Sequence, residues 1–217
     1  MRYYPAYLDL RDRACIVIGG GAVAERKALS LLEVGADVTI ISPSLTPKLR
    51  ELSDSGKINH LPRKFNEQDL SGAYLVIAAT DSPEENIRAA DVCKKRHVLV
   101  NSVTPPEVGN FIVPSMVDRG DLLIAVSTSG ASPALSRKIR KELEERYGPE
   151  YEQFLARMET VRQRVLDEVL DEDARRKIFE KIVDSDVIEL LRQGKAHDAE
   201  HRMAELAGLK HRDRTAD

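Results

Sequence analysis

The alternation of apolar runs and amphipathic stretches sets the first half of the chain. Residues 14–19, ACIVIG, form an unbroken apolar run closed by glycine, the pattern of a strand buried on both faces. From Ala22 to Val34 the period changes to helical, with Ala24, Ala28, Leu31 and Leu32 on one face and Gly35 as the stop. DVTIIS (37–42) is the next strand, LTPKLRELSDSG a short helix with a glycine stop, and KINHLP a weaker strand. AYLVIAAT (73–80) is again a buried strand. The helix after it opens on Ser82 as N-cap with Pro83 at its first position and Glu85 completing a capping box, and it runs to about Lys95. VLVNSV (98–103) follows as a strand. Strict alternation of this kind predicts an α/β fold: a parallel sheet with helices on both faces.

The pattern changes after Asn101. FIVPSMV and DLLIAVST read as two apolar strands joined at Asp118-Arg119-Gly120-Asp121, with Pro114 marking the first as an edge or bulged strand. Ser132-Pro133 opens a charged helix ending at Gly148, whose apolar face is Leu135, Ile139 and Leu143. From Pro149 on, the chain reads as helical throughout. Phe154, Met158, Val161, Val165 and Val169 keep helical spacing, two more helices are expected over 174–191 and 195–207, and the polar tail KHRDRTAD is expected to fray. The expected organisation is therefore an α/β domain over 1–110, a hairpin-and-helix segment over 111–147 and a helical domain over 148–217.

Composition narrows the chemistry. Across 217 residues, 33 Lys+Arg against 36 Asp+Glu give a formal charge of -3, which argues against general nucleic-acid binding. Aromatics at 5% and the absence of Trp leave little for base stacking. Cys15 and Cys93 cannot form a disulfide framework; both read as buried thiols. The opening MRYYPAYLDLRDR lacks a signal-peptide core and no run reaches membrane-spanning length, so a cytoplasmic protein with no membrane partner is expected. His197 and His201 have the spacing of a metal pair, but their surroundings are polar and no Glu follows His197, which favours a solvated helix. His97, between a basic helix end and a buried strand, reads as a partner for the helix dipole.

Gly19-Gly20-Gly21-Ala22-Val23-Ala24 matches the G-x-G-x-x-A fingerprint between a predicted strand and a predicted helix, the context of a Rossmann-like dinucleotide site. Gly19 permits the turn, Gly21 admits a pyrophosphate to the backbone, and Ala24 lets helix and strand pack closely. The second strand ends Ile41-Ser42-Pro43-Ser44, with neither the acid that favours NAD nor an arginine for a 2′-phosphate. On the fingerprint alone the choice of nicotinamide cofactor stays open.

GGGAVAERKALSLLEVGADVTIISP, AATDSPEENIRAADVC and NFIVPSMVDRGDLLIAVSTSGASPALSRKIRKELE, with the opening YYPAYLDLRDR, resemble the precorrin-2 dehydrogenase / sirohydrochlorin ferrochelatase family, the N-terminal module of siroheme synthase in its standalone form. The resemblance is close over roughly residues 1–145 and looser beyond. It implies NAD-dependent oxidation of precorrin-2 to sirohydrochlorin, and in some members ferrous iron insertion. It also implies an intertwined homodimer through the hairpin-and-helix segment, with an active site that needs both chains. NAD contacts would fall on Gly21, Ala22, Val23, Pro43 and Ser44, with Thr80 and Asp81 facing the same crevice.

One position departs from the family. Its N-x-x-D pattern, whose aspartate is the proposed acid/base, stands here as Asn101-Ser102-Val103-Thr104. A threonine hydroxyl cannot act as a base near neutral pH, which weakens metal insertion more than dehydrogenation and makes Glu107 and Asp118 the replacement candidates. Ser127, Thr128 and Ser129 before the Ser132-Pro133 helix start support two readings, a substrate-carboxylate site and a plain N-cap turn; the family implies a phosphorylatable serine here, with Thr128 the nearest match. Arg137 in the run Arg137, Lys138, Arg140, Lys141, together with Arg119 and Asn101, would meet the tetrapyrrole carboxylates, against the plainer reading of a solvated charged face. Besides the dehydrogenase, two alternatives are carried: a non-catalytic NAD/tetrapyrrole sensor or scaffold, and a dehydrogenase of another tetrapyrrole.

Overall fold

The computed structural model describes residues 3–209, so the tail KHRDRTAD lies outside the described residues. The chain divides into two compact units between Val113 and Pro114. In the first, β1 (Ala14–Ile18), β2 (Asp37–Ile41), β3 (Asn59–Leu61), β4 (Leu75–Ala78) and β5 (Leu99–Ser102) form one parallel sheet in the order β3-β2-β1-β4-β5. Ile18 lies level with Ile41 on one side and Ala78 on the other, which aligns the carboxyl ends of the three central strands.

The continuous apolar runs are explained by cover on both faces. Cys15 and Val17 pack with Ala24, Ala28 and Leu31 of α1 (Ala22–Glu33) and with Leu49 and Leu52 of α2 (Pro47–Asp54). On the other face Ile16 and Ile18 pack with Ala89, Ala90 and Cys93 of α3 (Pro83–Lys95) and with Phe65 and Leu70. Alanines at the contact positions of α1 and α3 let the helices sit close to the sheet. A loop and a short 3-10 turn, Glu67–Leu70, carry the chain from β3 to β4, closed by reciprocal capping between Asn66 and Asp69.

Both ends of α3 are closed by specific hydrogen bonds. Ser82 does cap α3, accepting from the Glu85 N–H at 3.2 Å, but its hydroxyl donates to Glu84 at 2.8 Å; Glu85 lines the cleft described below and makes no capping box. His97, expected to pair with the helix dipole, is the left-handed residue that follows the end of α3, with φ 58. Its N–H donates to Lys94 and that of Val98 to Cys93, the paired bonds of a Schellman closure, which also delays β5 to Leu99.

The second unit opens with the hairpin β6 (Ser115–Arg119) and β7 (Leu122–Val126). The first strand starts only after Pro114, because proline brings no N–H to a ladder. The helices are α4 (Pro133–Arg146), α5 (Glu150–Glu168), α6 (Glu172–Val183), α7 (Val187–Arg192) and α8 (Ala196–Ala207). Phe154, Val165, Ile182, Val187, Leu191 and Met203 form the core of α5–α8. The single helix expected over 174–191 is broken at Asp184–Asp186, where the Ser185 hydroxyl donates to the Ile182 carbonyl at 2.7 Å and accepts from the Val187 N–H at 3.3 Å. Among the described residues the expected apolar face of α4 is only partly covered: Leu135 is 47% exposed, Ile139 and Leu143 are half-buried, and the buried residue of this helix is Ser136. No helix among the described residues is long and apolar enough to cross a membrane.

Candidate functional site

The three glycines at the end of β1 do different work. Gly19 has φ 121, and a Cβ there would collide with the Ala79 carbonyl of the neighbouring loop. Gly20, a free position in the fingerprint, is the most tightly enclosed: its Cβ would run into the Ser44 carbonyl and lie 2.7 Å from the Ser42 hydroxyl. Its own carbonyl accepts from Thr46 at 3.0 Å, which ties the β1 turn to the loop after β2. Gly21 is exposed, and a Cβ on it would meet nothing within 4 Å. It is the N-cap of α1 and has no side chain to satisfy the first N–H groups of that helix, which are left facing outward with the partial positive charge of the helix end. Packing demands the first two glycines; the third leaves room for a ligand.

A cleft of about 480 Å³ opens over the carboxyl ends of the strands where the sheet order reverses, between β1 and β4. It is lined by Gly19, Gly20 and Gly21, by Ser42–Thr46, by Lys64 and Phe65, and by Ala79–Ser82 with Glu85. Pro43, Ser44, Thr80 and Asp81 therefore share this cleft with the glycines, while Ala22 and Val23 are the exposed first residues of α1 and Ala24 is buried under it. The Ser42 hydroxyl donates to the Ser44 carbonyl at 2.8 Å and fixes the loop after β2. Two residues that the sequence reading left out belong here. Lys64 is a cation on the cleft wall. Asn86, fully buried on α3, receives the Thr80 N–H and hydroxyl at 3.1 and 2.9 Å and donates to the carbonyls of Thr80 at 3.1 Å and Thr104 at 2.8 Å. At the mouth of α3, hydrogen bonds from its own N–H and then from Ser82 hold the Glu84 carboxyl below the usual range.

The substrate-side expectations fare differently. Thr104 is exposed at the end of β5 with its carbonyl held by Asn86, and Glu107 is exposed on the 3-10 turn Pro106–Val108 that follows. The Asn101 amide is half-buried and donates to the Phe111 carbonyl at 3.2 Å, so it braces the chain that leaves the sheet. In the second unit, Asp118 accepts from the Gly120 N–H at 3.0 Å and shapes the hairpin turn. Arg119, expected to meet substrate carboxylates, is committed elsewhere: Nε donates to Tyr147 at 2.8 Å and Nη2 to Glu144 at 3.2 Å, satisfying the free carbonyls at the end of α4. The Thr128 hydroxyl accepts from the Ser132 N–H at 3.1 Å and pairs with Ser136. Ser127 accepts from the Ser129 N–H, and Ser129 has φ 52. Arg137 is exposed, whereas Lys138 and Arg140 pair with Glu142 and Glu144 one turn on. His197 and His201 lie exposed on α8, and no metal-holding cluster occurs among the described residues.

Glycine turn, uncapped helix start and cleft at the sheet's switch point together define a dinucleotide-binding protein, and the residues present fit such a group. Comparison agrees. Residues 6–115 match the family described as "Putative NAD(P)-binding", 119–146 the sirohaem biosynthesis protein central region, and 150–206 the sirohaem synthase dimerisation region. The chain belongs to this family of NAD(P)-binding sirohaem biosynthesis proteins. It is 40% identical over 98% of its length to a siroheme synthase of Thioalkalivibrio sulfidiphilus and 39% identical over 95% to one of Methylococcus capsulatus. It spans 44% of the length of each of these relatives. Among solved structures it resembles SirC, precorrin-2 dehydrogenase, with a TM-score of 0.78 and 26% identity, covering 94% of this chain and all of that one.

Proposed function

We propose that this chain oxidises precorrin-2 to sirohydrochlorin with NAD+. The observation that carries the reading is the likeness to SirC over that chain's whole length, joined to a glycine cleft whose Gly21 stands open to a ligand. Bound NAD+ supplies the hydride acceptor at its nicotinamide ring. The protein's own contribution is binding and orientation, which is where most of such an enzyme's rate arises. The N–H groups of Gly21, Ala22 and Val23 would hold the pyrophosphate, the Pro43-Ser44 loop would meet the adenosine ribose, and Thr80 and Asp81 would line the rest of the cleft. Asn86 fixes the loops after β4 and β5 relative to each other, and so sets the position of Thr104 at the carboxyl edge of the sheet.

One proton must leave the macrocycle with the hydride. A threonine hydroxyl cannot take it at neutral pH, so solvent or the Glu107 carboxylate, three residues on, receives it. Arg137, exposed on α4, offers a cation to the substrate's carboxylates. The chain works as a homodimer: Met116, Leu123 and Leu135, all more than two-fifths exposed, supply apolar surface for a second copy, and the matched dimerisation region over 150–206 supports extending the contact into the helices.

The deciding experiment mixes purified protein, NAD+ and precorrin-2 without oxygen and follows absorbance. Sirohydrochlorin and NADH appearing in equal amounts is the expected result. Tight binding of both ligands without turnover would replace the enzyme by a sensor or scaffold.

A further inference from the structure

The adenosine end of the cleft carries an unusual charge arrangement. Where a carboxylate at the end of β2 would hold a ribose 2′-hydroxyl and repel a 2′-phosphate, this chain has Ser42, Pro43 and Ser44. The Ser42 N–H donates to the Leu61 carbonyl at 3.2 Å, and His60 Nε2 meets the Ser42 carbonyl at 2.9 Å, so the chain leaving β3 runs beside the loop leaving β2. That chain brings two cations, Arg63 and Lys64. Arg63 is taken by Asp69 through two bonds of 2.7 and 2.6 Å. Lys64 lines the cleft and its ammonium has no carboxylate partner among the described residues. The acids on the cleft wall, Asp81 and Glu85, come from the far side, after β4.

We infer that the cleft accepts a 2′-phosphorylated adenosine as well as a plain one, with Lys64 the specificity-determining residue that meets the phosphate. This rests on the dinucleotide reading above and extends it to cofactor choice. A dianionic phosphate finds one unpaired cation and no opposing carboxylate at this end. A plain ribose keeps its contacts to the loop 42–44 and loses nothing by the presence of lysine.

Titration calorimetry of the intact protein with NAD+ and NADP+ tests it without any tetrapyrrole. The expected dissociation constants agree within about tenfold. Lys64→Glu, and independently Ser44→Asp, should raise the ratio of the NADP+ to the NAD+ constant about tenfold or more, the scale of one charge-assisted hydrogen bond. Both positions are exposed, so neither variant threatens folding. NAD+ binding with NADP+ a hundredfold or more weaker, or a ratio unmoved by Lys64→Glu, overturns the inference and leaves the dinucleotide site standing. Failure of both dinucleotides to bind removes the site itself.

Discussion

The Asn86 side chain donates to the Thr104 carbonyl at 2.8 Å across eighteen residues of chain, joining the first turn of α3 to the loop after β5. The same amide oxygen receives both the N–H and the hydroxyl of Thr80. One buried residue thus holds two loops at the carboxyl edge of the sheet. Asn86→Leu keeps the side chain's branched shape but leaves the Thr80 N–H and the Thr104 carbonyl without partners. A cost of about 2–3 kcal/mol in urea unfolding is expected, together with weaker NAD+ binding. An unchanged unfolding midpoint would show that water replaces the amide.

The glycines separate folding from binding. Gly20→Ala should destabilise the protein before any ligand is added, because the new methyl group collides with the Ser44 carbonyl in a packed loop. Gly21→Asp meets nothing in the protein and should fold normally, yet it sets a side chain and a negative charge where a pyrophosphate binds, so NAD+ affinity should vanish. Thermal melting and calorimetry on the two variants distinguish these effects. A Gly21→Asp protein that still binds NAD+ would refute the site.

Much of the first unit is legible in the sequence, because a strand covered on both faces has to be apolar throughout and the glycine turn has to sit at its end. The role of Gly20 is not legible, since the steric demand comes from Ser42 and Ser44, a strand and a helix away in sequence. Asn86 lies in a polar first turn, Pro83-Glu84-Glu85-Asn86, and nothing local marks it as the buried member. Arg119 reads as a free cation because the carbonyls that capture it belong to a helix end more than twenty residues away. The break between α6 and α7 is hidden because apolar spacing continues through Ile182 and Val187, while the turn depends on the Ser185 hydroxyl. Local periodicity reports burial, but polar side chains take their roles from partners distant in sequence.

Burial pushes the thiols of Cys15 and Cys93 up to about 11, so neither reacts at neutral pH and both couple to stability. In the unfolded chain a thiol ionises at about 8.5. Between that value and 11 the unfolded state loses protons that the folded state keeps, so stability is intact below the window and falls as pH rises through it. The slope is about 1.4 kcal/mol per pH unit for each thiol. Urea midpoints measured from pH 8 to 10.5 should fall more steeply for the natural protein than for a Cys15→Ala/Cys93→Ala variant. Equal slopes would mean that the thiols ionise in place.

The resemblance implies an acid/base aspartate where Thr104 stands, and here the side chain is exposed after β5 while the carbonyl is pinned by Asn86. Metal insertion needs two pyrrole protons removed, whereas dehydrogenation needs mainly the nicotinamide held against the macrocycle. Thr104→Asp should therefore raise Co2+ or Fe2+ insertion into sirohydrochlorin, within the range of about 10²–10⁴ typical of general-base help, and leave NADH formation within a few-fold. Because the backbone here is held by Asn86, the same gain should be absent from an Asn86→Leu/Thr104→Asp double variant that still folds. Anaerobic absorbance assays of both reactions on the three proteins make the comparison. Rapid insertion by the natural threonine form would move the base to Glu107 or Asp118, and Glu107→Gln would be the next protein to assay, since Asp118 already serves the Gly120 turn.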